Sequence, residues 1–120
     1  MADRILFISW GEAVRGREER GLEVFNEAMG MLGRMQQDGR IEEFDVCLLE
    51  PNGELTGFVV IRGSTAQIDA LRADEEFRRS TADTTLIVDR FRQIEGYTNE
   101  GVARELAIYQ DAITKVPQHA

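Results

Sequence analysis

Apolar residues recur along this chain in two rhythms, alternating in some stretches and returning every third or fourth position in others. Arg4 to Trp10, R-I-L-F-I-S-W, is a short apolar run closed by Gly11, the pattern of a mostly buried strand. Leu22 to Met35 keeps the helical rhythm. Leu22, Phe25, Met29 and Leu32 form one row, and Val24, Ala28, Met31 and Met35 form a second beside it. Together the rows span about half the circumference at 100° per residue, a face wide enough to lie flat on a sheet. Gly39 suits the helix end.

Ile41 to Arg62 reads as two strands folded back at Pro51-Asn52-Gly53. Asn-Gly favours a type I′ turn, because both central residues need positive φ. In the first strand Phe44, Val46 and Leu48 oppose Glu43, Asp45, Cys47 and Leu49. In the second, Phe58 and Val60 oppose Leu55, Gly57, Val59 and Ile61. Both faces of that second strand are apolar, which places it inside a sheet covered on both sides. Ser64-x-x-Gln67 matches a capping box and opens a helix with Ile68 and Leu71 on its stripe. Asp74 to Arg79 continues as a bent or second helical piece with Phe77 inward. Thr84 to Ile94, with Leu86, Ile87 and Val88 at its centre, reads as the fourth strand. Asn99 or Thr98 caps a last helix whose seam is Val102, Leu106, Tyr109, Ile113 and Val116. Pro117 stops it, and residues 117–120 read as a frayed tail.

The order β-α-β-β-α-β is the split βαβ, ferredoxin-like arrangement of an α+β protein, here with an appended C-terminal helix. Right-handed crossovers put both long helices on one face of a four-stranded antiparallel sheet with spatial order 4-1-3-2. A single domain over residues 3–116 accounts for the chain. The opposite face is expected to carry Ile5, Phe7, Val59, Ile61, Ile87 and Phe91. That is more apolar surface than soluble monomers leave wet. A homodimer that covers this open sheet face with a second copy is the simplest solution.

Charge narrows the partners. The net charge of −8 repels a phosphate backbone, so nucleic acid is not expected. One cysteine excludes an intrachain disulfide and suits a reducing compartment. No stretch has the ~20 apolar residues of a membrane span, and the start lacks the apolar run of a signal peptide. The expectation is a soluble, cytoplasmic protein with no membrane association.

The segments G-F-V-V-I-R-G-S-T-A-Q-I-D-A-L-R (57–72) and F-R-Q-I-E-G-Y (91–97), set in that order of elements, are similar to the dimeric α/β-barrel superfamily. The relatives they resemble are the antibiotic-biosynthesis monooxygenases, the YCII-like proteins and the EthD-like proteins. The resemblance spans residues 3 to about 116. It implies a dimeric α/β barrel, with a small organic molecule bound or transformed between sheet and helices. The superfamily also includes proteins that use a His–Asp pair or an axial haem histidine. The single histidine here, His119, stands in the tail, so neither is expected. No cofactor and no metal are expected, since Cys and His are too few to build a metal site.

Candidate chemistry is confined to polar side chains on the predicted sheet. Asp89 and Asp45 are candidate general bases, because a carboxylate on an apolar face has its charged form disfavoured. Trp10 joins them as an aromatic at the end of the first strand. Ser9, Cys47, Arg62 and Arg90 are candidate ligand-binding residues, the two arginines for an anionic group. Each also has a plainer reading. The carboxylates can pair with arginines at a rim, Cys47 and Trp10 can be core, and one residue of register error turns every strand side chain over. Two functions follow. One is a small-molecule enzyme or binder of monooxygenase-like or isomerase-like type. The other is a non-catalytic homodimeric interaction module.

Overall fold

The computed structural model describes residues 2–117 and His119. The elements run β1 (Arg4–Trp10), α1 (Glu18–Gln37), β2 (Glu43–Leu48), β3 (Gly57–Gly63), α2 (Thr65–Ala73), α3 (Glu75–Thr85), β4 (Arg92–Tyr97) and α4 (Glu100–Ile113). The four strands form one sheet in spatial order β2-β3-β1-β4, and every neighbouring pair is antiparallel. This is the ferredoxin-like α+β topology that the element order requires.

The boundaries of the helices that pack on the sheet have local causes, whereas α4 starts at Asn99 without the expected side-chain cap. Glu18 and Glu19 lie in the first turn of α1, where the helix dipole favours negative charge. Gly39, at φ +75°, turns the chain out of the helix. The capping box before α2 is present: Gln67 N donates to Ser64 Oγ at 3.1 Å, and Ser64 N donates to Gln67 Oε1 at 2.8 Å. Asp74 separates α2 from α3 and caps α3, accepting from Phe77 N at 3.0 Å. Arg40 donates to the same carboxylate at 2.6 Å, which ties α3 to the turn after α1.

The core lies between the helices and one sheet face. Leu6, Val59 and Ile61 of the sheet meet Met31, Leu32 and Met35 of α1, Ile68 and Leu71 of α2, and Phe77 of α3. Strand alternation then puts Ile5, Phe7, Ser9, Phe58, Val60, Ile94, Asp45 and Cys47 on the other face. Phe7 and Phe58 stack there, with ring centroids 5.3 Å apart.

Four expectations are corrected. Strand four does not begin at Thr84. Residues up to Thr85 remain in α3, and β4 is Arg92–Tyr97. Leu86, Ile87 and Val88 instead close the end of α3, where Ile87 is buried and Val88 bridges to Ala13. Ile87 and Phe91 consequently contribute nothing to the open face and line the helix side instead. Val59 and Ile61 also face the helices, because β1 pairing sets Val59 opposite Ile8 and Ile61 opposite Leu6. The hairpin is wider than two residues. Strand pairing stops at Leu48 and Gly57, and only Gly53 has positive φ in the turn. The Asn52 side chain holds this loop, accepting from Glu54 N and Leu55 N at 2.9 Å each. Leu22 is 68% exposed, because the line of α1 facing Ile87 and Ala13 passes through Gly21.

The molecule is elongated. Its radius of gyration is 17.2 Å, against about 13.6 Å for a compact chain of this length. The cause is α4, which projects from the β4 edge with Gly101 as its one buried residue.

Candidate functional site

A cavity of about 100 Å³ opens between the helix face of the sheet, α1 and α3. Its floor is Ile8, Val59 and Trp10. Val24, Phe25, Ala28 and Met29 of α1 form one wall, and Phe77 and Ile87 close the far side. The indole of Trp10 meets the ring of Phe25 edge-on, with centroids 6.0 Å apart at 60°. Two rings at an angle with a thioether beside them make a slot that accepts a flat apolar molecule.

One wall is polar. Ser80, Thr81 and Thr84 project from α3, and Gln93 from β4. Gln93 Nε2 donates to Thr81 Oγ1 at 2.8 Å, which fixes the amide across the gap between helix and strand. Thr84 Oγ1 donates to the carbonyl of Ser80 at 2.8 Å, so its proton is used within the helix. Gln93 Oε1 and the Ser80 hydroxyl are left to meet a ligand. Among the described residues none that lines the cavity is titratable. The cavity is therefore a neutral, mostly apolar space with hydrogen-bonding groups along one side, the usual composition of a small-molecule pocket.

Of the seven residues singled out in the sequence, Trp10 lines this cavity. The other six lie elsewhere. Asp45 and Arg62 sit together on the open face as an ion pair, with Glu43 3.7 Å from the same guanidinium. Cys47 is half-buried beside Phe58 on that face. Ser9 is 1% exposed between Phe58 and Arg92, and its hydroxyl has no hydrogen-bond partner among the described residues. Asp89 is exposed at the end of β1, where its carbonyl accepts from Gly11 N at 2.8 Å. Arg90, at φ +52°, donates to the carbonyl of Gly53 at 2.8 Å and straps the loop after β2. The burial on which a general-base role for Asp45 or Asp89 rested is absent, since both side chains face solvent. Among the described residues no three His, Cys, Asp or Glu side chains converge on a point. No helix there is long and apolar enough to cross a membrane.

The polar wall was missed in the sequence because α3 looks like a solvated helix. A signal was present. Counting from the inward Phe77, positions i+3, i+4 and i+7 are Ser80, Thr81 and Thr84, so the face that buries Phe77 carries three hydroxyls.

No protein-family model matches the chain, and no curated protein matches it. Solved structures do. A dimeric protein of unknown function and ferredoxin-like fold from Bacteroides fragilis superposes with a TM-score of 0.59 at 10% identity, covering 79% of this chain and 96% of that one. A protein assigned to the antibiotic biosynthesis monooxygenases from Chloroflexus aurantiacus gives 0.54 at 9% identity, with 80% and 93% covered. SnoaB, a cofactor-independent oxygenase from Streptomyces nogalater, gives 0.50 at 15% identity, with 82% and 93% covered. Likeness at this level of identity speaks for architecture, and the chain has the ferredoxin-like fold that these proteins share.

Proposed function

We propose that this protein binds a small, neutral, ring-containing organic molecule in the cavity between α1, α3 and the sheet, and works as a homodimer without a cofactor. The observation that carries the reading is the cavity itself: apolar on three sides, lined by no charge, with Gln93, Thr81 and Ser80 along the fourth. A charged ligand would lose its hydration there without a counter-ion, a penalty of several kcal/mol. A flat molecule with one hydroxyl or carbonyl at its edge loses little. The volume of about 100 Å³ holds one ring, or two where the slot opens to solvent. Homodimer formation is supported by the open sheet face, where Phe7, Phe58, Val60 and Ile94 form an apolar surface that no helix of the same chain covers.

Any reaction at this site begins on the ligand, because the lining offers hydrogen bonds and no titratable group. Cofactor-free oxygenation is the reaction class to test first, given the fold shared with SnoaB. The second reading, an interaction module without a ligand, draws on the apolar residues exposed along α4. Thermal unfolding with a panel of one- and two-ring phenols and quinones, matched to their sulfonated counterparts, separates the two. The neutral compounds raise the midpoint and the sulfonates do not, and oxygen uptake is then followed with those that bind. A panel without any saturable shift would leave the interaction module as the better description.

A further inference from the structure

Two apolar patches stand at opposite edges of the sheet. On α4, Val102, Leu106 and Tyr109 are 43, 55 and 65% exposed. Their spacing of four and three residues is that of a helix–helix seam. An adjoining side of α4 is anchored to its own chain. Gly101 lies against the Asp3 carbonyl, Arg104 pairs with the Asp3 carboxylate, and Glu105 sits beside Tyr97 and pushes the tyrosine hydroxyl pKa up. The seam beside this anchor is left exposed. The second patch is Val46 and Leu48 on the helix side of β2, 37 and 69% exposed. β2 and β4 are the two sheet edges, separated by three strand spacings, or roughly 14 Å. With α4 held at β4, the two patches of one chain do not meet.

We propose that α4 is an arm whose Val102–Leu106–Tyr109 seam seats on Val46 and Leu48 of a second copy of this chain. This rests on the face-to-face pairing of sheets proposed above. A two-fold axis running along the strands sets the β4 edge of each copy over the β2 edge of the other, and an arm that reaches past that edge meets the helix-side patch it lacks. The areas agree. The chain exposes 8090 Å², whereas a compact monomer of its mass exposes about 6,600 Å². The surplus, on the order of 1,500 Å² per chain, is what an obligate homodimer buries. An anionic bilayer is a poor alternative, because Glu100, Glu105 and Asp111 outnumber Arg104 and Lys115 on the helix and its end.

Analytical ultracentrifugation of the full chain tests this, with Leu106→Ser, Leu48→Ser, the double variant, and Val60→Asp on the open sheet face. Circular dichroism checks that each is folded, and Leu106→Asn or Leu48→Thr replaces any that is not. Each serine variant weakens the dimer about tenfold or more, since every dimer holds the contact twice. The double variant loses less than the product of the singles, because both act on one contact. If the dimer constant is unmoved by Leu106→Ser and Leu48→Ser but Val60→Asp dissociates it, the arm is refuted and the sheet pairing stands. If only Leu106→Ser acts, α4 packs elsewhere on the partner, and the β2 seat is overturned. A wild-type particle of 13.6 kDa at tens of micromolar overturns arm and sheet pairing together.

Discussion

Ala28→Leu places three additional carbons in the cavity between α1 and α3. Ala28 lines that cavity from a helix position where leucine is well tolerated. Filling the whole of its approximately 100 Å³ is worth at most about 2.4 kcal/mol at ~24 cal/mol per Å³. Three buried carbons at ~0.8 kcal/mol each give the same ceiling. The added side chain also crowds Phe25 and Phe77, and overpacking opposes the gain by about 1 kcal/mol. The net expectation is a stabilisation of about 1–2 kcal/mol, or roughly 4–8 °C in Tm. Urea unfolding at fixed protein concentration reads it as a higher midpoint with an unchanged slope. The same variant loses the thermal response to neutral ring compounds, because their space is occupied. Stability gained while binding is lost is the expected trade at a pocket kept open for a ligand. A variant destabilised by more than 1 kcal/mol that still responds to the ligands would refute the cavity as the binding site.

Ser9→Ala removes a hydroxyl that is 1% exposed and without a partner. Urea unfolding should show a gain of up to about 1 kcal/mol, and a loss of that size would mean the hydroxyl is bonded in solution. Asp74 has its carboxyl held below the ordinary 3.8, by the Phe77 amide first and by Arg40 against the opposing effect of burial. A carboxylate depressed in the folded state stabilises the protein above its unfolded pKa, and that contribution disappears as pH falls through the folded value. Asp74→Ala should therefore lower stability by about 1–2 kcal/mol at pH 7, and the gap to wild type should narrow below about pH 4. An equal gap at pH 7 and pH 2.5 would contradict the assignment. Gly101→Ala puts a methyl group against the Asp3 carbonyl, and should cost about 1–3 kcal/mol by unseating the start of α4. Unchanged stability there would show that α4 does not rest on Asp3 and Tyr97 in solution.

The parts of the fold that were legible in the sequence are those where one rhythm had no competitor. The paired rows of α1 from Val24 onward, the Ser64–Gln67 box and the inward Phe77 stand where the periodicity places them, and Leu22 is the exception. The order of these elements then determines the sheet. The illegible parts are those where local pattern and tertiary role part company. Leu86-Ile87-Val88 has the composition of a strand, yet it plugs the end of α3 against Gly21. The true β4, Arg92–Tyr97, alternates weakly, because its helix side carries Gln93, Glu95 and Tyr97. β3 is apolar on both faces, so nothing in its own residues says that Val59 and Ile61, rather than Phe58 and Val60, look toward the helices. Pairing with β1 decides it. The candidate site suffered most. Trp10 reaches the cavity because it ends a central strand, whereas charged residues such as Asp45 and Arg62 drew notice for chemistry and pair with each other on the opposite face.

Two methionines make the binding claim directly observable. Met29 and Met31 line the cavity, while Met35 is buried in the core beyond its walls. With methyl-labelled methionine, a titration with 1-naphthol followed by NMR should move the Met29 and Met31 methyl signals upfield by ring current and leave Met35 in place. Saturation should come at a single concentration for both. Movement of Met35 alone, or no movement at any concentration short of precipitation, would contradict a ring-binding site between α1 and α3.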